Sequence, residues 1–352
     1  MNGKLVLENG QVFPGIFLGP KTPVRGQLVL QTAVVGYQEI LTDPVNCGRI
    51  LVFTYPLIGN YGVAKKFDQS ARAWVKGLVI KEKSPIYSNW QAEDSLDNFL
   101  KTNTIPCLQE IDTRTLTVTL REKGEMAGAI ISNEENEKDW LKRIGQEKND
   151  DYIKTTSTKK IIIIKGKGPY PLGLVDLGVT KNVLEQLAKI SSKVILFPYN
   201  TRAEDILKSK IKVLIISGGP ENDISLPLIA PEISKIIGRL PILAYSTGHH
   251  LLGLALGAKI YKLKLGHHGV NYPVMGPGNL KGQITVQNHS FGLVENSIKN
   301  KAVAITGYNL NDKTIEEMRS RKLKFISCQY YLNSPGLGEI NPVLKEFITR
   351  YA

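Results

Sequence analysis

Apolar residues in the first part of the chain come in short runs, at positions 4–7, 27–35, 50–55 and 77–81, broken by Gly, Pro and Asn. Runs of that length bounded by turn formers predict strands, so residues 1–132 are expected to form a strand-rich domain with few long helices. Residues 133–168 then turn polar, dominated by Glu, Lys, Asn, Asp, Thr and Ser, and predict a linker with one short helix near 137–144. After Pro169 the rhythm changes. Apolar runs at 172–177, 193–197, 213–217 and 242–245 predict strands, and the spacing of Val183, Leu184, Leu187 and Ile190 predicts a helix over 180–190. Further helices are expected at 203–208, 228–238 and 248–256. Strand and helix in alternation imply a mainly parallel sheet flanked by helices over 169–352, an α/β fold whose sites sit where strands end and helices begin.

Composition narrows the function classes. Two domains fit 352 residues, and 42% hydrophobic with 22% charged residues is ordinary for a folded protein. The first ten residues carry charge and no apolar run, and no stretch approaches the ~18–20 apolar residues that span a bilayer, so the expected location is cytoplasmic, with no membrane partner. Cys47, Cys107 and Cys328 lie far apart without a CxxC pair, so neither a disulfide framework nor a metal site is expected. The net charge of +13 raises nucleic acid as a partner, but the lysines are scattered and no aromatic-rich strand accompanies them. A lysine-rich solvated surface is the expectation, with no nucleic-acid partner.

The chemistry-bearing segment is Pro241-Ile242-Leu243-Ala244-Tyr245-Ser246-Thr247-Gly248, an apolar strand turning sharply into a helix with a hydroxyl at the turn. A nucleophile elbow has this form, because the turn exposes the side chain while the helix N-terminus offers N–H groups to a developing negative charge. A serine at a helix start also serves as a plain N-cap.

The segments 248–259 (GHHLLGLALGAK), 261–274 (YKLKLGHHGVNYPV) and 287–291 (QNHSF) closely resemble the carbamoyl-phosphate synthase small subunit. The resemblance continues in the first half through 36–44 (GYQEILTDP), 54–62 (TYPLIGNYG), 88–90 (SNW), 111–114 (IDTR) and 120–124 (LREKG), and covers nearly the whole chain apart from the linker. It implies a class I glutamine amidotransferase domain at the C-terminal end. In that class a Cys–His–Glu triad releases ammonia from glutamine through a thiolate attack, with backbone N–H groups holding the oxyanion. It also implies a large-subunit partner, which makes carbamoyl phosphate from ammonia, bicarbonate and ATP. ATP and bicarbonate would be used there, and no cofactor is expected in this chain.

Against that pattern the chain departs at the reacting positions. The family's nucleophilic Cys falls at Ser246. Its C-terminal His-Pro-Glu-Ala-Ser-Pro-Gly segment falls at 329–336, where forward reading turns His and Glu into Tyr331 and Asn333, and backward reading turns them into Tyr330 and Leu332. The five histidines are 249, 250, 267, 268 and 289, so none lies C-terminal enough to replace the missing one. The Gly-Pro-Gly oxyanion segment becomes Gly219-Pro220-Glu221. Thr247, His250 and Ser290 stand where the family has Leu, Gln and Gly, and Ala33 replaces the small hydroxyl residue of the N-terminal domain. Gly219, Asn288 and Phe291 still match.

The expectation is a small-subunit homologue that supports carbamoyl phosphate synthesis for pyrimidine or arginine supply, as part of a ligase complex whose own glutaminase site is lost. Two other readings compete. One is a serine-based amidohydrolase using Ser246 with His250 or His289, and the other is a module that senses a small amide or amino acid in the remnant pocket.

Overall fold

The computed structural model describes residues 2–146, 151–221, 223–278 and 282–352. It divides into two compact units: Met1–Lys148 with Lys264–Gly269, and Asn149–Leu263 with Val270–Ala352.

Unit 1 contains β1 (Asn2–Leu7), β2 (Val12–Leu18), β3 (Val24–Gln31), α1 (Tyr37–Leu41), β4 (Arg49–Phe53), β5 (Leu57–Ile58), β6 (Gly77–Val79), β7 (Glu82–Lys83), α2 (Leu96–Thr102), β8 (Cys107–Gln109), α3 (Thr113–Lys123), β9 (Ala127–Ser132) and α4 (Glu137–Ile144). Seven of these strands close into a barrel in the order β1-β2-β8-β6-β4-β3-β9. One apolar cluster draws on every barrel strand, including Leu5, Phe17, Leu28, Ile50, Val79, Leu108 and Ile130. Side chains alternate across a strand, so the intervening residues Val29, Leu51, Leu78 and Cys107 form a second cluster with Tyr37 and Leu41 of α1 and Leu96 and Leu100 of α2. The runs read as strands at 4–7, 27–35, 50–55 and 77–81 overlap β1, β3, β4 and β6, but β3 ends at Gln31, β4 at Phe53 and β6 at Val79, short of the expected ends.

Unit 2 contains α5 (Tyr152–Thr156), β10 (Ile162–Lys165), β11 (Pro171–Asp176), α6 (Lys181–Ile190), β12 (Lys193–Pro198), α7 (Ala203–Lys208), β13 (Val213–Ile216), α8 (Leu226–Ile236), β14 (Ile242–Tyr245), α9 (Thr247–Ala255), β15 (Ile260–Met275, of which Lys264–Gly269 group with unit 1), β16 (Gln283–Leu293), β17 (Ala304–Asn309), β18 (Ile315–Ser320), β19 (Phe325–Cys328) and α10 (Pro342–Tyr351). Its ten-stranded sheet runs β10-β12-β11-β13-β14-β19-β18-β17-β15-β16. The middle of the sheet is parallel: β12, β11, β13, β14 and β19 pair in that sense. Along β13, Val213 and Ile215 join one core with α6 and α10, while Leu214 and Ile216 join another with α7, α8 and α9. Burial on both faces is why these strands read as unbroken apolar runs.

Residues 133–168, expected as a linker, are divided between the units. The 137–144 helix forms as α4 and buries Trp140 and Ile144 against residues of β1 and β9, because i, i+4 spacing puts both on one face. Ile153 of α5 is fully buried in unit 2, and β10 pairs antiparallel with β12. Positions 147–150 of that linker lie outside the described residues. No helix among the described residues is long and apolar enough to cross a membrane.

Candidate active site

β14 ends at Tyr245 and the chain reverses within one residue. Ser246 has φ +52° and ψ −123°, a conformation that L side chains rarely adopt, and α9 begins at Thr247. Such a conformation costs on the order of 1–3 kcal/mol and persists only where neighbours over-determine it. Here the Ser246 amide donates to the Cys328 carbonyl at 2.9 Å, and the Thr247 hydroxyl donates to the Gly219 carbonyl. Gly248 is required by close approach: a Cβ there would stand 2.4 Å from the Ile216 carbonyl oxygen. The Ser246 side chain makes no capping bond to α9, so the turn is an elbow and not an N-cap. A Cβ on Gly218 would lie 3.3 Å from Ser246 Oγ, so the hydroxyl is turned toward the loop after β13.

The two histidines behind the elbow are both fully buried; their backbone amides donate to the Ser246 carbonyl, at 2.8 Å from His249 and 3.4 Å from His250, but neither ring is bonded to the Ser246 side chain. His249 Nδ1 stands 3.0 Å from Ser327 Oγ on β19, and burial, with His250 beside it, holds the ring well below the usual imidazole pKa. His250 is pushed down to about 4 by burial, against opposing contributions from the Phe291 backbone and the Gln329 side chain. Both are neutral at pH 7. Ser327, absent from the sequence-derived site, is the partner of His249, and Gln329 acts on His250 electrostatically. Their signal was legible as two polar residues at i, i+2 beside an apolar strand, which places them on one face.

Glu221, the residue in place of the oxyanion glycine, does not point away. Its side chain is 1% exposed, Oε2 accepts from the Ser290 backbone amide at 2.7 Å, and Oε1 lies 3.8 Å from His250 Nδ1. The loop carrying it is fixed by Gly219, where a Cβ would meet the Leu177 carbonyl oxygen at 2.2 Å.

The two tyrosines left open by the sequence separate. Tyr331 is reached by Asn288, whose Nδ2 donates to Tyr331 Oη at 3.3 Å, so it is the tyrosine beside a matching pocket residue. Tyr330 instead donates its hydroxyl to Glu317 and accepts from Gln283 Nε2 at 2.9 Å; burial drives its pKa well up. Leu332 is fully buried in the core that holds α6 and α10, and the Asn333 carbonyl accepts from Asn341 Nδ2 at 3.0 Å. Thus Thr247 is joined to Gly219, and His250 and Ser290 meet at Glu221, whereas Asn288, within β16, is joined to Tyr331. Ala33 is buried in unit 1, next to Thr32, whose hydroxyl donates to the His268 carbonyl at 2.8 Å.

The family described as carbamoyl-phosphate synthase small chain, CPSase domain, matches residues 5–130, and glutamine amidotransferase class-I matches residues 173–335. The carbamoyl phosphate synthase pyrimidine-specific small chain of Bacillus subtilis is 38% identical over 350 residues, 99% of this chain and 95% of that one. The chain belongs to the carbamoyl-phosphate synthase small chain family. Other carbamoyl phosphate synthase small chains agree. That of Oceanobacillus iheyensis is 36% identical over 98% of this chain and 94% of its own, and that of Clostridium acetobutylicum is 36% identical over 99% of each. As a carbamoyl-phosphate synthase small chain homologue it therefore keeps both expected domains, and the elbow at Ser246 is the strand-to-helix turn of its class-I amidotransferase domain.

Proposed function

We propose that this small chain has lost glutamine hydrolysis and serves as the supporting partner of a carbamoyl-phosphate synthase large chain that uses free ammonia. One observation carries the reading: among the described residues, no hydrogen bond joins Ser246 Oγ to a histidine ring. A hydroxyl is far harder to ionise than a thiol, which has an ordinary pKa of about 8.5, and it attacks an amide only with a positioned base. His249 is engaged with Ser327, and His289 Nδ1 stands 2.9 Å from the Phe291 carbonyl oxygen. The same arrangement speaks against the serine-hydrolase reading.

Support for a partner comes from unit 1. In the family-like segment at 88–90, Trp90 is 88% exposed, and nearby Ile86 is 74% exposed. Large apolar side chains held in water mark interaction surfaces, and tryptophan is enriched among residues that dominate binding. The product, carbamoyl phosphate, feeds pyrimidine or arginine supply, and the named specificity of the Bacillus subtilis relative favours pyrimidine supply here. The test is to mix the purified chain with a carbamoyl-phosphate synthase large chain from the same cell. Co-elution, with carbamoyl phosphate formed from ammonium but not from glutamine, is expected. Glutamine-dependent synthesis overturns the loss of hydrolysis, and failure to co-elute overturns the supporting role.

A further inference from the structure

The Ser290 amide is a buried donor with an unusual partner. β16 is the last strand in the order of the ten-stranded sheet, so among the described residues one of its edges has no neighbouring strand. Residues i, i+2 and i+4 of a strand direct their backbone groups to the same side. At Val286 the carbonyl on that side accepts from the Tyr331 amide at 3.0 Å. Four residues on, the Ser290 amide donates to a carboxylate, that of Glu221, delivered by the loop after β13. His250, fully buried, flanks the same carboxylate at 3.8 Å. The buried backbone amide donating to this carboxylate forms an anion subsite, since an N–H···O⁻ bond is roughly twice as strong as a neutral one, and the neutral His250 ring is its wall rather than a second donor.

We propose that Glu221 is an internal ligand: it fills, from within the chain, a subsite in unit 2 that takes a small monocarboxylate, and so keeps that subsite closed to free carboxylates. This rests on the reading that glutamine hydrolysis has been lost, because a site so occupied admits no substrate carboxylate. Removing the side chain takes away the carboxylate that the buried Ser290 amide donates to, and the free energy lost with that bond is what an external carboxylate recovers. The short loop is itself anchored by Thr247 and by the tight approach of Gly219 to Leu177, so it holds its position without the carboxylate.

The experiment compares the full-length wild type, Glu221→Ala and Glu221→Gln at pH 7 with sodium acetate or sodium chloride at matched ionic strength. The readouts are the ¹⁵N–¹H resonance of the Ser290 amide and the thermal midpoint. In Glu221→Ala, acetate shifts the amide saturably and raises the midpoint, with at least tenfold tighter binding than wild type. Glu221→Gln keeps an acceptor oxygen for the amide and stays closed to acetate. If Glu221→Ala fails to fold in chloride, acetate during refolding restores it. The proposal is overturned if folded Glu221→Ala shows no saturable shift to 100 mM acetate, if the variant stays unfolded in acetate as in chloride, or if wild type binds acetate equally well. Glutamate release by the wild type would sink the loss of hydrolysis and is read separately from acetate binding.

Discussion

His249 Nδ1 lies 3.0 Å from Ser327 Oγ, and this contact ties the first turn of α9 to β19 inside a fully buried environment. The histidine nearest the elbow in sequence is therefore spent on structure. His249→Ala is expected to lower stability by about 3 kcal/mol, through a cavity and an orphaned hydroxyl, while leaving ammonium-dependent synthesis by the complex unchanged. A urea titration in which the unfolding free energy changes by less than a few tenths of a kcal/mol would contradict the structural role.

The elbow is strained around Ser246, whose Oγ is hydrogen-bonded to no histidine ring among the described residues. Glycine adopts φ +52° freely, so Ser246→Gly should stabilise the fold by about 1 kcal/mol, the relief of strain exceeding the entropy that glycine adds to the unfolded chain. Comparison of denaturant midpoints decides it, and a destabilised variant would mean that the serine side chain contributes contacts worth more than the strain.

Restoring the thiol alone should not restore chemistry. Ser246→Cys still lacks a base at Tyr331 and an acid at Asn333, and Glu221 still holds the Ser290 amide. Triad members act as a unit, so one of three recovers little. Incubation with glutamine followed by mass spectrometry is expected to show no glutamyl thioester and no glutamate above background.

Buried neutral histidines make stability depend on pH. In the unfolded chain His250 binds a proton below its ordinary value of 6.5, whereas in the folded chain it stays neutral down to about 4. Its folded pKa is depressed, so its contribution is fully present above pH 6.5 and is lost as pH falls toward 4. The loss by pH 4 is about 3 kcal/mol, and His249, also held low, adds to it. His250→Gln should flatten the slope of stability between pH 6.5 and 4, and an unchanged slope would assign the acid sensitivity elsewhere.

Trp90→Ala should weaken assembly with a large chain by at least tenfold while changing the stability of the isolated chain by less than about 0.5 kcal/mol, since a side chain 88% exposed has little folded-state packing to lose. Gel filtration of the mixture across concentrations gives the first quantity and thermal unfolding the second.

The parallel half of unit 2 was legible because strands buried on both faces leave unbroken apolar runs and the helices between them keep a 3.6-residue period. The helix at 203–208 matches α7 at both ends. The antiparallel half, from β15 to β18, was not. Its strands bury polar and charged residues among the apolar ones, His in β15 and Glu in β18, and β15 carries Lys besides, which together break up any run of apolar residues. The barrel closure of unit 1 depends on which strands pair, a long-range choice that local spacing does not encode. At the site, the turn at Ser246 was readable, but the direction of Glu221 was not. The sequence shows there only a carboxylate in place of the oxyanion glycine, because the amide that accommodates it comes from Ser290, 69 residues away.

The six residues Lys264–Gly269 have a consequence for anyone who would take the chain apart. They group with unit 1, where the carboxylate of Glu125 accepts from the Gly266 amide at 2.9 Å and meets His268 Nε2 at 3.0 Å. The backbone therefore crosses between the units three times, and neither unit can be excised as one uninterrupted gene fragment. A single protease nick near 147–150 would yield a large fragment that carries off a piece of unit 1 with it. The two fragments would stay together on a native column and come apart only in denaturant, so limited proteolysis would look silent unless the products were unfolded before they were weighed.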